Sequence, residues 1–360
     1  MTDEEKAIRL RLVRRTQALR KNSFTWDSLE RPQSVSFDKV ITPQGEKSRC
    51  RVILTAHGCS VGTCTMCPLP NEAVPAEVEV TTKHWLAQLE RALPASSTAD
   101  ILTLYHNGNF FSDKEVPPER REAIYRYLFN SSIQTLVVES LPQFITEEKI
   151  CHAHDYLREG QRIEVAIGLQ STDAFLRNVV LASSCTQESM DRALRALRSC
   201  GDCAQVFLMY QMPFLTVAEA AFSLEQSILE LQEFWGITDP TLCAMRIAPH
   251  TVVAELYGKG GFKLGTLWSL VQVLHAVRLK KPENKARVAV SLLQRTSSQE
   301  PTTDACPDCR DKLLGWIGAY NRGALEPMPV HDCNCAQGSG PIAYRKERVL
   351  KRIEQYLSAD

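Results

Sequence analysis

The chain lacks a net charge of either sign, because its 42 lysine and arginine residues are matched by 42 aspartate and glutamate residues. A neutral surface offers no general attraction for polyanions, so nucleic-acid binding would need a local basic patch. The sequence also lacks an apolar run of about 18 residues, the length at which a membrane helix becomes a candidate. The first residues show no signal-peptide pattern. These absences argue against a membrane partner and predict a cytoplasmic protein.

Cysteine, by contrast, is abundant, with 13 residues in a chain of 360. In a small secreted domain so many cysteines would predict disulfide bonds. In a cytoplasmic chain of this size, clustered cysteines more often bind metal or act as catalytic thiols. With 360 residues, of which 44% are apolar, the chain is long enough for one large catalytic domain with an appendage or for two ordinary domains. The spacing of the cysteines therefore carries most of the functional information.

Short β-branched runs alternate with longer helical segments through most of the chain, which is typical of a mostly parallel sheet. Six right-handed βα units of this kind can curl into an open barrel. We therefore expect an α/β fold, a partial (βα)6 TIM-like barrel with a small cysteine-rich C-terminal extension. The predicted strands are residues 51–56, 100–106, 134–139, 162–169, 205–212 and 242–248.

Three regions follow from this pattern. Residues 1–45 are predicted to form an N-terminal helical extension, since they begin with an arginine-rich amphipathic segment. Residues 46–285 hold the alternating strands and helices of the barrel. Residues 286–360 begin where the alternation stops and contain a Ser-, Thr- and Pro-rich stretch before a second group of cysteines. We therefore predict a separate metal-binding extension there.

Three cysteines, Cys59, Cys64 and Cys67, fall within nine residues in the segment HGCSVGTCTMCPLPN, directly after the first predicted strand. Glycine and proline in this segment favour a loop, which can wrap its sulfurs around one point. Three thiolates on a four-iron cluster leave one iron open for an exchangeable ligand. The alternatives are a zinc knuckle completed by His57, or cysteines buried in the core.

This arrangement resembles the radical S-adenosylmethionine superfamily, in which three cysteines follow the first strand of a six-unit barrel. The usual spacing there is C-x3-C-x2-C, whereas this chain has C-x4-C-x2-C, one residue more. The resemblance implies a [4Fe-4S] cluster whose open iron chelates S-adenosylmethionine. It also implies an external electron donor of the flavodoxin or ferredoxin type, which supplies the electron for reductive cleavage to a 5′-deoxyadenosyl radical.

The segment after the second predicted strand contains Asn107, Gly108 and Asn109. It stands where the superfamily has a Gly-Gly-Glu-like segment, whose backbone receives the methionine amino group. The resemblance therefore implies cofactor binding by these three residues, and glycine would permit a close backbone approach. Taken without the resemblance, Asn-Gly-Asn indicates an ordinary turn.

Polar residues also follow the third and fourth predicted strands. Glu139 ends the third, and Gln170 and Ser171 end the fourth, where they could hydrogen-bond the ribose hydroxyls of the cofactor or a substrate. Each could equally be a satisfied polar residue at a strand end. Arg246, on the sixth strand, could clamp a carboxylate or pair with an acidic residue.

A closer resemblance, from about residue 50 to about residue 340, is to the radical subunit of archaeosine synthase. That family releases a modified 7-deazaguanine base in transfer RNA from a lysine adduct by radical C–N bond cleavage. This chain departs from it at Gln170, where glutamate is expected, and at Ala182-Ser183, where a basic residue is usual. The motifs that carry the resemblance are LYHNGNFFSDKEVPPERR, VVESLPQFITEEKI, RIEVAIGLQSTDAFLRNVVLASSCT, MPFLTVAEA, CPDC and DCNC.

Two other functions stay open at this point. A neutral chain without an added RNA-binding module also suits a radical enzyme that tailors a small molecule or a peptide. A non-catalytic zinc-binding interaction protein built on a decayed barrel is the third possibility. Binding to transfer RNA would favour action on a transfer RNA base over tailoring of a small molecule or peptide. A metal content of zinc alone would favour the non-catalytic interaction protein.

A second group of cysteines lies in the predicted C-terminal extension. Cys306 and Cys309 form a C-x2-C pair, and Cys333 and Cys335 form a C-x-C pair. Four soft ligands in two close pairs predict a metal site, either structural zinc or a second iron–sulfur cluster. His331, next to the second pair, keeps a mixed ligand set open.

Overall fold

A computed structural model gives the architecture of most of the chain. Eight strands form one sheet in the order of the sequence, in which the first pair is antiparallel and every later pair is parallel. The strands are β1 (Ser34–Thr42), β2 (Gly45–Ile53), β3 (Ile101–Tyr105), β4 (Thr135–Glu139), β5 (Arg162–Gln170), β6 (Cys203–Tyr210), β7 (Thr241–Ala244) and β8 (Arg287–Val288). The structure describes residues 1–22, 24–42, 45–93, 98–293, 300–324, 327–329, 333, 335 and 340–359.

The sheet curls into an open half-barrel, which confirms the expected fold class. A π-helical turn over Leu176–Val180 follows β5. Among the described residues, no helix is long and apolar enough to cross a membrane. The helices are α1 (Asp3–Leu19), α2 (Thr82–Ala92), α3 (Pro118–Phe129), α4 (Glu147–His154), α5 (Gln187–Ser199), α6 (Val217–Trp235), α7 (Val252–Gly258), α8 (Leu267–Lys280), α9 (Val290–Leu293), α10 (Pro307–Asn321) and α11 (Lys346–Leu357).

All six predicted strands occur, but two further strands were not predicted. Residues 34–42, which fall in the predicted helical extension, form β1 and pair with β2. β8 is only two residues long and closes the other edge of the sheet. The predicted strand 51–56 lies earlier, at Gly45–Ile53, because the chain leaves the sheet after Ile53. The division of the chain into three domains remains a prediction.

Alternation along the strands separates the two faces of the sheet. On β3, Leu102 and Leu104 are buried in the main core with helix residues such as Trp85. Because side chains alternate in a strand, Thr103 and Tyr105 point to the opposite, concave face. Glu139 on β4 points the same way, since Leu136 and Val138 belong to the core. Polar residues therefore line the concave face at the carboxyl ends of the strands.

A second hydrophobic core joins the first and the last helix of the chain, α1 and α11. Ile8 and Leu12 of α1 pack in one cluster with Val180 of the π-helical turn and with Val349 and Ile353 of α11. Each of these five side chains is at most 2% exposed. This cluster holds α1 beside the segment that follows β5, and so beside the functional end of the sheet.

Candidate functional site

The loop after β2 carries three cysteines and is held on two sides by the segments that follow β3 and β5. We call residues 54–71 the rim loop. On one side, the Cys59 N–H donates to the Asn107 carbonyl oxygen over 2.9 Å, in the segment after β3. On the other side, the Thr65 N–H donates to the Leu181 carbonyl oxygen over 3.0 Å, after β5. The rim loop therefore lies across the carboxyl ends of the parallel strands.

The rim cysteines, Cys59, Cys64 and Cys67, are half-buried free thiols. Burial raises the pKa of all three, and that of Cys67 to about 12. A thiol with a raised pKa stays neutral near pH 7 unless a bound cation replaces its proton. Three such sulfurs at a strand-end rim fit a soft metal or an iron–sulfur cluster.

The grouping of ligand atoms bears on these possibilities. Among the described residues, the group of three or more metal-ligand side chains that could hold one ion consists of the C-terminal cysteines, whose sulfurs lie within 4.8 Å of one another. The rim cysteines are not part of such a group. A cluster spans a larger distance, because each cysteine binds a different iron. His57, considered as a fourth zinc ligand, places Nε2 2.7 Å from the Val78 carbonyl oxygen.

The Asn-Gly-Asn segment contacts the rim loop through side chains as well as the backbone. Asn107 has a positive φ of 61°, which such a turn permits in asparagine. The Asn109 Nδ2 atom lies 3.3 Å from the Cys59 Sγ atom, and the Asn109 Oδ1 atom accepts from the Leu141 N–H over 2.8 Å. A Cβ atom at Gly108 would clash with Glu115 Oε2 and approach His106 Nε2, which favours glycine there.

Glu115 is a site residue that the sequence analysis missed. Its Oε1 atom accepts from the Ser60 N–H over 2.9 Å and from the Ser60 hydroxyl over 2.6 Å, and also from Asn109 Nδ2 over 2.9 Å. Burial alone would raise the pKa of Glu115, but His106 at 3.8 Å and the donors Ser60 and Asn109 lower it to about 2. Its carboxylate therefore ties the rim loop to the segment after β3. No motif in the stretch DKEVPP indicates this role.

Glu139 and Gln170 both place an oxygen at the concave face without a hydrogen-bond partner among the described residues. Burial raises the pKa of Glu139 to about 7, although the backbone N–H groups of residues 106–108 partly offset this. Gln170 has a φ of +69°, and a Cβ atom at Gly168 would lie 2.8 Å from its Nε2 atom. Two buried acceptors are therefore available for the hydroxyl groups of a ligand.

Ser171 and Arg246 have partners within the protein. Ser171 is fully buried, and its hydroxyl oxygen lies 3.1 Å from that of Ser227. Arg246 pairs with Glu72 of the segment after the rim loop over 3.0 Å and with Glu300 over 2.8 Å. Of the two roles considered for Arg246, the structure shows pairing with acidic residues. Cofactor binding by Ser171 remains a prediction.

The tail cysteines, Cys306, Cys309, Cys333 and Cys335, form the tightest ligand group in the described part of the chain. Their sulfur atoms all lie within 4.8 Å of one another. The Cys306–Cys333 and Cys309–Cys335 sulfur pairs are 3.5 and 3.6 Å apart. His331, considered as a further ligand, lies outside the described residues.

The half-barrel with thiols at its rim is the arrangement that the resemblance to radical S-adenosylmethionine enzymes implies. The predicted resemblance to the radical subunit of archaeosine synthase is also confirmed. The chain is 26% identical to archaeosine synthase subunit beta of Methanosarcina acetivorans over 238 residues, which cover 64% of this chain and 67% of that protein.

A second relative is an uncharacterized protein of Methanocaldococcus jannaschii, 24% identical over 242 residues, which cover 64% of this chain and 65% of that protein. The match thus spans about two thirds of the length of either relative. No protein-family model matches the chain.

Solved structures overlay on the chain only weakly. Queuine lyase from Clostridium spiroforme, bound to S-adenosylmethionine and queuine, has a TM-score of 0.42 and 18% identity over 58% of this chain and 79% of its own. Methylornithine synthase has a TM-score of 0.46 and 13% identity over 89% of this chain and 93% of its own. At these scores the overlays bear on neither substrate nor mechanism.

Proposed function

We propose that this enzyme binds a [4Fe-4S] cluster through Cys59, Cys64 and Cys67 and cleaves S-adenosylmethionine reductively to act on a modified base in transfer RNA. The observation that carries the proposal is the set of three raised-pKa thiols in a loop held across the strand ends. When bound, the cluster and S-adenosylmethionine would supply a radical able to abstract hydrogen from a substrate. The one electron required would come from an external flavodoxin or ferredoxin type of donor.

The protein's own residues would hold and shield this chemistry. Asn109 donates towards the Cys59 sulfur, which favours the thiolate that a cluster needs. Glu139 and Gln170, with unpaired buried oxygens, would accept hydrogen bonds from ribose hydroxyls. The backbone of residues 107–109 would receive the methionine amino group.

The first test is anaerobic reconstitution of the full chain with iron and sulfide. We expect about four iron atoms per chain at the rim and formation of 5′-deoxyadenosine after reduction with dithionite in the presence of S-adenosylmethionine. Exchange of any rim cysteine for alanine should remove this iron. A colourless wild-type protein without iron would contradict the proposal.

Transfer RNA is the proposed substrate because the relative from Methanosarcina acetivorans is an archaeosine synthase subunit. We expect transfer RNA that carries a lysine-modified 7-deazaguanine to lose the modification by C–N bond cleavage, as judged by nucleoside mass spectrometry. Binding should weaken steeply with salt, since phosphate contacts release counterions. Absence of binding at low salt, with no faster formation of 5′-deoxyadenosine, would select the small-molecule or peptide alternative.

For the tail cysteines we propose a single zinc ion rather than a second cluster. Four sulfurs at about 2.3 Å from a tetrahedral ion lie about 3.8 Å from one another. The two measured pairs, at 3.5 and 3.6 Å, are close to that value. Clusters separate at least some of their cysteines by more, because the ligands bind different irons.

Metal analysis distinguishes these two occupants. We expect one zinc per chain, retained in a Cys64→Ala variant and lost in Cys309→Ala. Iron well above four atoms per chain in the wild type, with the excess lost in Cys309→Ala, would overturn the assignment to zinc.

A further inference from the structure

Arg20, directly after α1, binds the rim loop. Its Nε and Nη2 atoms donate to the Gly62 carbonyl oxygen over 3.1 and 2.6 Å. Its Nη1 atom lies 3.4 Å from the Cys67 carbonyl oxygen. One guanidinium group therefore connects the segment between Cys59 and Cys64 to the backbone at Cys67. Arginine suits this role because its planar fork presents several donors in fixed directions.

The Gly62 carbonyl lies in the part of the loop that is one residue longer than usual. Gly62 has a φ of +55°, in the left-handed region that glycine adopts at little cost. Its carbonyl group would lack a strand or helix partner in such a turn and must be satisfied from elsewhere. Arg20 supplies two donors to this carbonyl, so a residue outside the cysteine motif stabilises the longer C-x4-C segment.

A second arginine of α1 lies on the same side. The Arg9 Nε atom donates to the Asn178 carbonyl oxygen over 3.0 Å, and its Nη2 atom lies 3.4 Å from the Ala182 carbonyl oxygen. The Ala182 carbonyl also accepts from the Thr63 hydroxyl over 2.8 Å, which links it to the rim loop. Arg9 thus acts one contact away from the loop that Arg20 binds directly.

Both arginines bind backbone carbonyl groups, and among the described residues no carboxylate is paired with either. Arg15 of the same helix differs, since Glu255 is its ion-pair partner. The positive charges of Arg9 and Arg20 are therefore not cancelled by an adjacent anion.

We propose that Arg20 is a positioning residue for the rim loop and that its charge raises the reduction potential of the bound cluster. This inference rests on the proposed function. A cluster held by three thiolates gains one negative charge when it accepts an electron, and no bond forms or breaks in that step. A nearby cation stabilises the more negative state, and net charge is one of the factors that set cluster potentials.

The experiment is an anaerobic redox titration of the reconstituted full chain without S-adenosylmethionine, followed by the EPR signal of the reduced cluster. Arg20→Gln removes the charge, and Arg20→Lys keeps it with a poorer fit to the carbonyl groups. Arg14→Gln, at an exposed position of α1, is the matched control. We expect the ratio of reduced to oxidised cluster at a fixed potential to fall about tenfold in Arg20→Gln, a shift of about 59 mV for one electron.

The reduction potential should be largely restored to the wild-type value in Arg20→Lys and unchanged from it in Arg14→Gln. If Arg20→Gln retains a full complement of iron at the wild-type potential, the inference is overturned. If Arg20→Gln does not retain iron whereas Arg20→Lys does, the positioning role is supported and Arg9→Gln tests the charge. A wild-type potential in Arg9→Gln would then overturn the electrostatic part. Failure of the wild-type chain to bind iron would instead refute the proposed function itself.

Discussion

The rim cysteines and the tail cysteines contain the same ligand atom in different surroundings. The tail sulfurs lie within 4.8 Å of one another, around α10 and a short following segment. The rim loop is instead tied to the segments after β3 and β5 and to Arg20. One helix and the segment after it bring the tail cysteines together, whereas contacts from distant parts of the chain position the rim loop.

The largest expected difference between the two sites comes from single cysteine exchanges. Cys64→Ala should abolish formation of 5′-deoxyadenosine, because the cluster loses one of its three ligands. Cys309→Ala should leave the iron at the rim in place and lower the thermal stability instead, since structural metal sites contribute folding free energy. Iron content, 5′-deoxyadenosine formation and thermal unfolding measure the three effects. Equal loss of iron in both variants would remove the distinction between the sites.

The next effect concerns the support of the rim loop by Glu115. Glu115→Gln should lower the free energy of unfolding by roughly 2–3 kcal/mol at neutral pH, because a buried carboxylate with several donors is lost. The pKa of Glu115 is lowered from 4.5 to about 2 in the folded protein. Its contribution is therefore full above pH 4.5 and is lost as the pH falls towards 2.

Denaturant unfolding between pH 3 and pH 7 measures this dependence, with the exposed Glu119→Gln as the control. The difference between wild type and Glu115→Gln should shrink as the pH falls below about 4.5. A difference that stays constant over this range would show that the Glu115 carboxylate does not stabilise the loop as an anion.

Exchange of Glu139 is expected to have the smallest effect on stability, and it should stabilise the protein rather than destabilise it. Burial raises the pKa of Glu139 from 4.5 to about 7, so its ionisation opposes folding increasingly as the pH rises above 4.5 and fully above about 7. Glu139→Gln should therefore stabilise the protein by about 1–3 kcal/mol at pH 8 relative to pH 5. The same variant should bind S-adenosylmethionine about tenfold more weakly, because a charged acceptor becomes a neutral one.

Unfolding at pH 5 and pH 8, together with equilibrium dialysis of S-adenosylmethionine, gives both quantities for Glu139→Gln. Unchanged binding with increased stability would show that Glu139 does not contact the cofactor. The tail site should be unaffected in either measurement, and its zinc content provides an internal control.

Local patterns predicted the regular elements well where the chain carries its own signals. The predicted strand 134–139 coincides to within one residue with β4, Thr135–Glu139. β1 was missed because it lies at the sheet edge, where Phe37 is 61% exposed and the expected buried alternation is weak. β8 is too short to show a period. The local sequence patterns therefore predicted the central strands but not the two edge strands, β1 and β8.

The candidate site was predictable only in part, for a related reason. The rim cysteines are adjacent in sequence, so their spacing alone indicated a shared ligand. Glu115 and Arg20 lie 39 or more positions from the nearest rim cysteine and meet the loop only after folding. The approach of the four tail sulfurs to within 4.8 Å of one another is likewise a property of the fold and cannot be read from residue spacing.

The second core also has a consequence for the order of assembly. Arg20 follows a helix whose inner face, at Ile8 and Leu12, packs against Ile353 of α11. During synthesis, the rim cysteines emerge well before α11, so the helix that carries Arg20 cannot yet be fully docked. An iron donor that meets the nascent chain would encounter a loosely held loop. Durable retention of the metal is therefore expected only after α11 has been made and packed.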